Sequence, residues 1–171
     1  MVNNMNILTQ QIDQSRVTED GKYIQGASHT CRVINHKLRN KAIIKTVCDL
    51  RKLPFGFDSI ACSSGISGLI VVPQVAELLK KNIVIVRKST DNCYSDFLIE
   101  GAPPFRYVIV DDLVCSGKTI RHIMNSIKEE IPRSVCLGVY CYMPEESAYR
   151  GDDGNKLFNR DFRVDYLNSY H

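Results

Sequence analysis

The sequence predicts an α/β protein built on a doubly wound parallel sheet, and three observations carry that expectation. Short, mostly apolar runs recur at 59–62, 82–86, 107–110 and 135–142, that at 107–110 rich in β-branched residues. Continuous runs of this kind suit strands buried on both faces. Stretches with apolar residues at helical spacing lie between them, giving the order β-α-β-loop-β-α-β. At two places a run of small residues joins a strand directly to a helix, and open α/β sheets bind ligands at such strand ends.

Composition narrows the class. A chain of 171 residues, 44% hydrophobic and 24% charged, is expected to be one globular domain with a real core. The net charge of +3 is mild: it fits a small anionic ligand and does not by itself argue for nucleic acid. No apolar run is long enough to span a bilayer and no charged-then-apolar leader stands at the start, so no membrane span or secretory signal is expected. The seven cysteines (31, 48, 62, 93, 115, 136 and 141) are odd in number and form no C-x-x-C, which points to reduced thiols in a cytoplasmic protein.

Residues 1–35 are polar and weakly periodic, with turn chemistry between Val17 and Ile24 that suits a hairpin. His29, Cys31 and His36 match no zinc spacing, so they read as scattered loop or strand residues and not as metal ligands. Asn35 to Leu53 reads as a helix with an apolar stripe of Ile43, Val47 and Leu50, ended by Pro54. Its basic face (Lys37, Arg39, Lys41, Lys45, Arg51, Lys52) could contact RNA, but a solvated helix face is the commoner cause. After the short strand Ser59–Cys62 comes the turn Ser63–Gly68, whose backbone amides and hydroxyls could hold an oxyanion or simply bend the chain. The next helix runs through Val75, Leu78 and Leu79, and Pro73 implies either a kink or a later start. Asn82–Val86 reads as a buried strand ending in Arg87 and Lys88. Ser89–Pro104 has little periodicity and two adjacent prolines, so it reads as one long loop of the kind that forms lids.

The most informative stretch follows. Tyr107–Val110 is a strand, Asp111 and Asp112 are an acidic pair at its carboxyl end, and Cys115, Ser116, Gly117, Lys118 and Thr119 form a short polar turn. From there Ile120, Ile123, Met124, Ile127 and Ile131 recur at helical spacing, with Arg121, His122, Asn125, Lys128 and Glu129 opposite them. Small groups at a helix start let backbone N–H groups hold a phosphate, and two carboxylates beside it describe a site for a sugar phosphate. A nucleotide-binding P-loop would need glycine where Asp112 stands. A helix cap would explain one Asp or Ser, but not an acidic pair followed by this turn. Pro132 closes the helix, Val135–Tyr142 is the next buried strand, 144–156 is a surface loop, and Phe162, Val164 and Tyr166 alternate as in a short strand.

The stretch Val108–Thr119 resembles the phosphoribosyl pyrophosphate (PRPP) motif of the type I phosphoribosyltransferases: four apolar residues, two acids, three variable residues, then Thr-Gly-x-Thr. Ser116 stands where the family usually has Thr, which keeps the hydroxyl. The resemblance covers about half the chain, from Asp58 to Tyr142. It implies a Rossmann-like core at about 37–142, with a small hood from 1–36, from 143–171 or from both. It implies that Asp111 and Asp112 face the ribose hydroxyls, that Cys115 to Thr119 cradle the 5′-phosphate, and that Ser64, Gly65, Arg87 and Lys88 lie near pyrophosphate. Catalytic roles then fall on Asp111, Asp112, Lys88 and Tyr94, with Mg²⁺ held by Asp111 and Asp112 through water.

The activity implied is exchange of pyrophosphate on PRPP for a nitrogenous base, purine or pyrimidine, by a cytoplasmic homodimer. Within the family the base is left open. Orotate enzymes carry a Lys and a His in the loop at 89–104, which has neither; Cys93-Tyr94 partly echoes the Ser-Tyr pair of hypoxanthine-guanine enzymes. Those enzymes place an acid where Cys115 stands, and Asp111-Asp112-Leu113 resembles adenine enzymes. A loop without Lys or His also fits a non-catalytic PRPP-sensing regulator on the same fold, touching nucleic acid through the helix at 37–52.

Overall fold

Residues 28–88, 97–114 and 117–143 are described by the computed structural model. In chain order they form α1 (Ser28–Ile34), α2 (His36–Arg51), β1 (Ser59–Ser63), α3 (Ile66–Leu79), β2 (Asn82–Val86), β3 (Ile99–Gly101), β4 (Arg106–Asp111), α4 (Lys118–Glu130) and β5 (Val135–Cys141). The expected hairpin near 17–24 and strand near 162–166 lie outside the described residues.

The strands pair in the order β3-β2-β1-β4-β5. The four from β2 to β5 run parallel, and β3 is antiparallel on the edge. Period-2 alternation sends Ile60, Cys62, Val108 and Val110 into a core shared with α1, α2 and α3, where Val33, Val47, Leu50, Val71, Val72 and Val75 meet them. The alternate residues Ala61, Tyr107, Ile109, Val139 and Cys141 pack against Ile120, Ile123 and Ile127 of α4. Thus β1 and β4 are buried on both faces, which is why they read as unbroken apolar runs. The chain leaves β1 toward β2 on one side and β4 toward β5 on the other. The boundary between β1 and β4 is therefore the topological switch point, where a crevice opens at the carboxyl ends.

Polar contacts lock the layers. Both carboxylate oxygens of Asp58 accept backbone N–H bonds at the start of β4, from Phe105 (3.3 Å) and Arg106 (2.6 Å). On the helical face Tyr140 Oη donates to Asp49 Oδ2 at 2.8 Å, and Lys45 pairs with the same carboxylate. Asn35 caps α2 by accepting from the N–H groups of Lys37 and Leu38 at 3.0 and 3.2 Å.

Four expectations need correction. Residues 28–34 are helical, not loop or strand, and Cys31 is buried within that helix. Of the two alternatives for Pro73, the later start is excluded: the helix after the Ser63–Gly65 turn starts at Ile66, and Pro73 lies inside it. Pro73 cannot donate to the Leu69 carbonyl, but both residues are exposed, so solvent can replace that bond. β2 is only half-buried, with Asn82 exposed and Ile83 and Ile85 intermediate, because these two share the face that meets the α1–α3 core only at its margin, while Val84 and Val86 on the other face are fully buried. The edge strand, Ile99–Gly101, occupies what reads in sequence as loop. It needs Gly101, whose φ of 116° favours glycine and whose added Cβ would meet the Ile83 carbonyl oxygen at 2.1 Å. Gly101→Ala should therefore weaken β3 pairing and cost about 1–3 kcal/mol, read as a lower midpoint in urea unfolding; an unchanged midpoint would mean that β3 does not pair as described.

Candidate functional site

A cavity of about 510 Å³ opens at the switch point. Ser63, Ser64 and Gly65 from the end of β1, Lys88 beyond β2, Asp111 and Asp112 at the end of β4, and Gly117, Lys118 and Thr119 at the start of α4 line it. Eight residues singled out in the sequence (Ser64, Gly65, Lys88, Asp111, Asp112, Gly117, Lys118 and Thr119) thus surround one space, although they come from four segments of the chain. Cys115, Ser116 and Tyr94 lie outside the described residues.

Two helices begin at this cavity, and both begin on glycine. Gly65 is the N-cap of α3, and Gly117 is the N-cap of α4 with φ 69° and ψ 0°. Neither brings a side chain to cap the first turn, in contrast to Asn35 on α2. The positive ends of two helix dipoles therefore face one space, an arrangement that favours an anion. The left-handed backbone at Gly117 is a conformation that L side chains rarely adopt.

The acidic pair gives the cavity its second polarity. Asp111 and Asp112 are 7% and 8% exposed. Asp112 Oδ1 accepts from the Leu113 N–H at 2.7 Å, and its Oδ2 accepts from Ser67 Oγ at 2.5 Å. Asp111 Oδ1 accepts from the Asp112 N–H at 3.0 Å. Burial, and then the neighbouring Asp112 charge, push the Asp111 carboxyl above the ordinary carboxylate range, while that backbone N–H and the Lys88 charge pull it down. The thiols beside the pair stay protonated: burial first, then the Asp111 charge, push Cys62 up to about 12, and burial with the charges of Asp111 and Asp112 raises Cys141 as well. Tyr142 is buried next to the pair, and burial followed by the charges of Asp112 and Asp111 raises it above its usual range, while the Ser67 side chain pulls it down.

The structure adds residues and separates others. Ser67 and Thr30 contribute hydroxyls to the lining. Ser67 sits inside the small-residue turn noted in the sequence, whereas Thr30 reaches the site only because α1 docks there, for which the sequence offers no signal. Arg87 does not line the cavity; its Nε and Nη2 both donate to Glu100 Oε1 on β3, at 3.1 and 2.7 Å. His122, expected on the solvated face of α4, is half-buried with Nε2 at 2.7 Å from the Arg87 carbonyl oxygen.

The raised Asp111 predicts a pH signature. Between the ordinary aspartate range and its raised value, the folded chain holds a proton that the unfolded chain has lost. Asp111 therefore makes stability fall as pH rises through that window and then level off. Asp111→Asn should be more stable than the parent by about 1–3 kcal/mol near pH 8, with the difference shrinking toward zero near pH 4. Urea unfolding at both pH values checks this, and an Asn variant that is less stable at pH 8 would contradict it.

No family model and no curated protein matches the chain. Solved structures do. The UMP synthase of Leishmania donovani is 19% identical with a TM-score of 0.54, over 73% of this chain and 26% of that one, so this chain spans about a quarter of its length. The orotate phosphoribosyltransferase of Aeropyrum pernix is 16% identical with a TM-score of 0.53, over 73% and 70% of the two chains. The adenine phosphoribosyltransferase of Thermoanaerobacter pseudethanolicus is 20% identical with a TM-score of 0.51, over 80% and 86%. The chain has the Rossmann-like fold of the type I phosphoribosyltransferases, as its motif implied.

Proposed function

We propose that the chain is a phosphoribosyltransferase that moves the 5-phosphoribosyl group of PRPP to a nitrogenous base and releases pyrophosphate. The observation that carries this reading is the cavity of divided polarity: glycine-started helix ends on its rim and two buried carboxylates at its floor. The 5′-phosphate belongs on the turn that ends in Gly117, Lys118 and Thr119, together with Cys115 and Ser116. The ribose hydroxyls donate to Asp111 and Asp112. Pyrophosphate lies toward Ser64, Gly65 and Lys88, where amides and an ammonium oppose its charge.

The chemistry asks little covalent help of the protein. As pyrophosphate departs, the anomeric carbon gains oxocarbenium character, so the protein must hold a polyanion in line with the base and exclude water. Carboxylates fixed beside the ribose stabilise that positive charge. The donor set also suits Mg²⁺: Asp111 and Asp112 offer oxygens, and among the described residues no third His, Cys, Asp or Glu joins them into a metal cluster. Mg²⁺ would therefore complete its shell with ligand oxygens and water, and when bound it would screen the leaving charge. The base accepted, the homodimer and a cytoplasmic setting belong to the same proposal; among the described residues no helix is long and apolar enough to cross a membrane.

A second reading, a PRPP-sensing regulator without turnover, is favoured by one observation: residues 89–104 contain neither Lys nor His. The two separate cleanly. An enzyme releases pyrophosphate from PRPP with at least one base among orotate, uracil, adenine, hypoxanthine, guanine, xanthine and nicotinate. A regulator binds PRPP and releases none with any of them.

Binding itself tests the site. Calorimetry should show Mg²⁺-dependent PRPP binding that EDTA weakens. Gly117→Val should reduce affinity by about a hundredfold or more, since two charge-assisted hydrogen bonds to phosphate are each worth about 1.5–3 kcal/mol. Equal affinity in that variant would mean that phosphate binds elsewhere.

A further inference from the structure

We infer that His122 is a positioning residue: from α4 it holds the carbonyl that precedes Lys88 and so fixes the direction in which Lys88 enters the cavity. The inference rests on the proposed function for what Lys88 meets there, but its geometry stands alone. His122 Nε2 is 2.7 Å from the Arg87 carbonyl oxygen, across 35 residues of sequence. A carbonyl can only accept, so Nε2 carries the proton, as it does in one neutral tautomer and in the cation.

The other side of the same residue is tied to the edge strand. The Arg87 N–H donates to the Leu98 carbonyl at 2.9 Å, and its guanidinium grips Glu100. Arg87 is thus held by its amide from Leu98, just before β3, by its side chain from Glu100 on β3, and by its carbonyl from α4. Lys88 follows directly, lines the cavity, and lowers Asp111 through its charge. The α4 residues Lys118 and Thr119 line the cavity one turn before His122. The hydrogen bond therefore joins the phosphate turn to the strand end that carries the ammonium, and sets the spacing of the two anion-binding ends.

The test compares the parent with His122→Phe, which keeps a ring and loses the donor, and with His122→Gln, whose amide nitrogen can take the place of Nε2. Three quantities are read: Mg·PRPP affinity by calorimetry, exchange of the Arg87 amide by hydrogen–deuterium exchange without ligand, and Tm. The Phe variant should bind about tenfold more weakly, the effect of one lost hydrogen bond, and its Arg87 amide should exchange several-fold faster. The Gln variant should recover both, with Tm similar in all three proteins. The role is overturned if the Phe variant matches the parent, if Gln is as impaired as Phe, or if affinity only follows a fall in Tm. If the Phe variant does not fold, His122→Asn takes its place, because its shorter amide stops short of the carbonyl. If the parent itself does not bind PRPP, the phosphoribosyl reading fails and amide exchange decides alone: faster exchange restored by Gln upholds the positioning role, and unchanged exchange removes it.

Discussion

Two carboxyl groups on consecutive buried residues at the end of β4 repel each other whenever both are ionised, and the surrounding structure is arranged to contain that repulsion. At an effective dielectric constant near 20, unit charges a few ångströms apart interact by several kcal/mol. Asp112 is held by two donors, the Leu113 N–H and the Ser67 hydroxyl, one from its own chain segment and one from α3. Asp111 has the Asp112 N–H and the field of Lys88. Its neighbours add no further negative charge, since Cys62 and Cys141 are thiols held in the neutral form by the same burial and the same carboxylates. A pair kept in this condition is costly to the fold and gains most from a cation or from hydroxyl donors.

The helix ends supply the complementary sign. α2 begins away from the cavity and is closed by its own Asn35, whereas α3 and α4 begin at the cavity on Gly65 and Gly117. A capping side chain would compete with a ligand for the same N–H groups, so glycine at these two N-caps serves the site at some expense to helix stability. The cavity is thereby divided: amides and ammonium groups around its edge and carboxylates at one end. A ligand that matches both must carry anionic groups and hydroxyls a few bonds apart, as a sugar phosphate does.

Much of this was legible in the sequence, for physical reasons that also mark where legibility stops. β1, β4 and β5 read correctly because burial on both faces demands unbroken apolar runs, and α4 because Ile120, Ile123 and Ile127 repeat at helical spacing against one sheet face. The acidic pair and the turn at 117–119 could be read because they are adjacent along the chain. Ser67 was in view as a small turn residue, but its bond to Asp112 spans 45 residues and leaves no local trace. α1 is seven residues long with β-branched Thr30, Val33 and Ile34, too short and too weak in helix propensity to show a period. β3 has three residues, a glycine at φ 116° and two prolines just beyond, so its composition is that of a turn even though it pairs with β2.

That missed strand decides the roles of two adjacent cations. In sequence Arg87 and Lys88 are equivalent basic residues at a strand end. In the fold β3 pairs Glu100 with Ile85, diagonally within reach of Arg87 two residues on, and the planar guanidinium takes it with two nitrogens at once, a geometry that an ammonium cannot reproduce. Lys88, one residue on and outside the strand, turns its compact charge to the cavity and to Asp111. The order of the two residues therefore matters more than their shared sign. The fork stands where the partner is fixed by the sheet, and the flexible point charge stands at the cavity, beside Asp111.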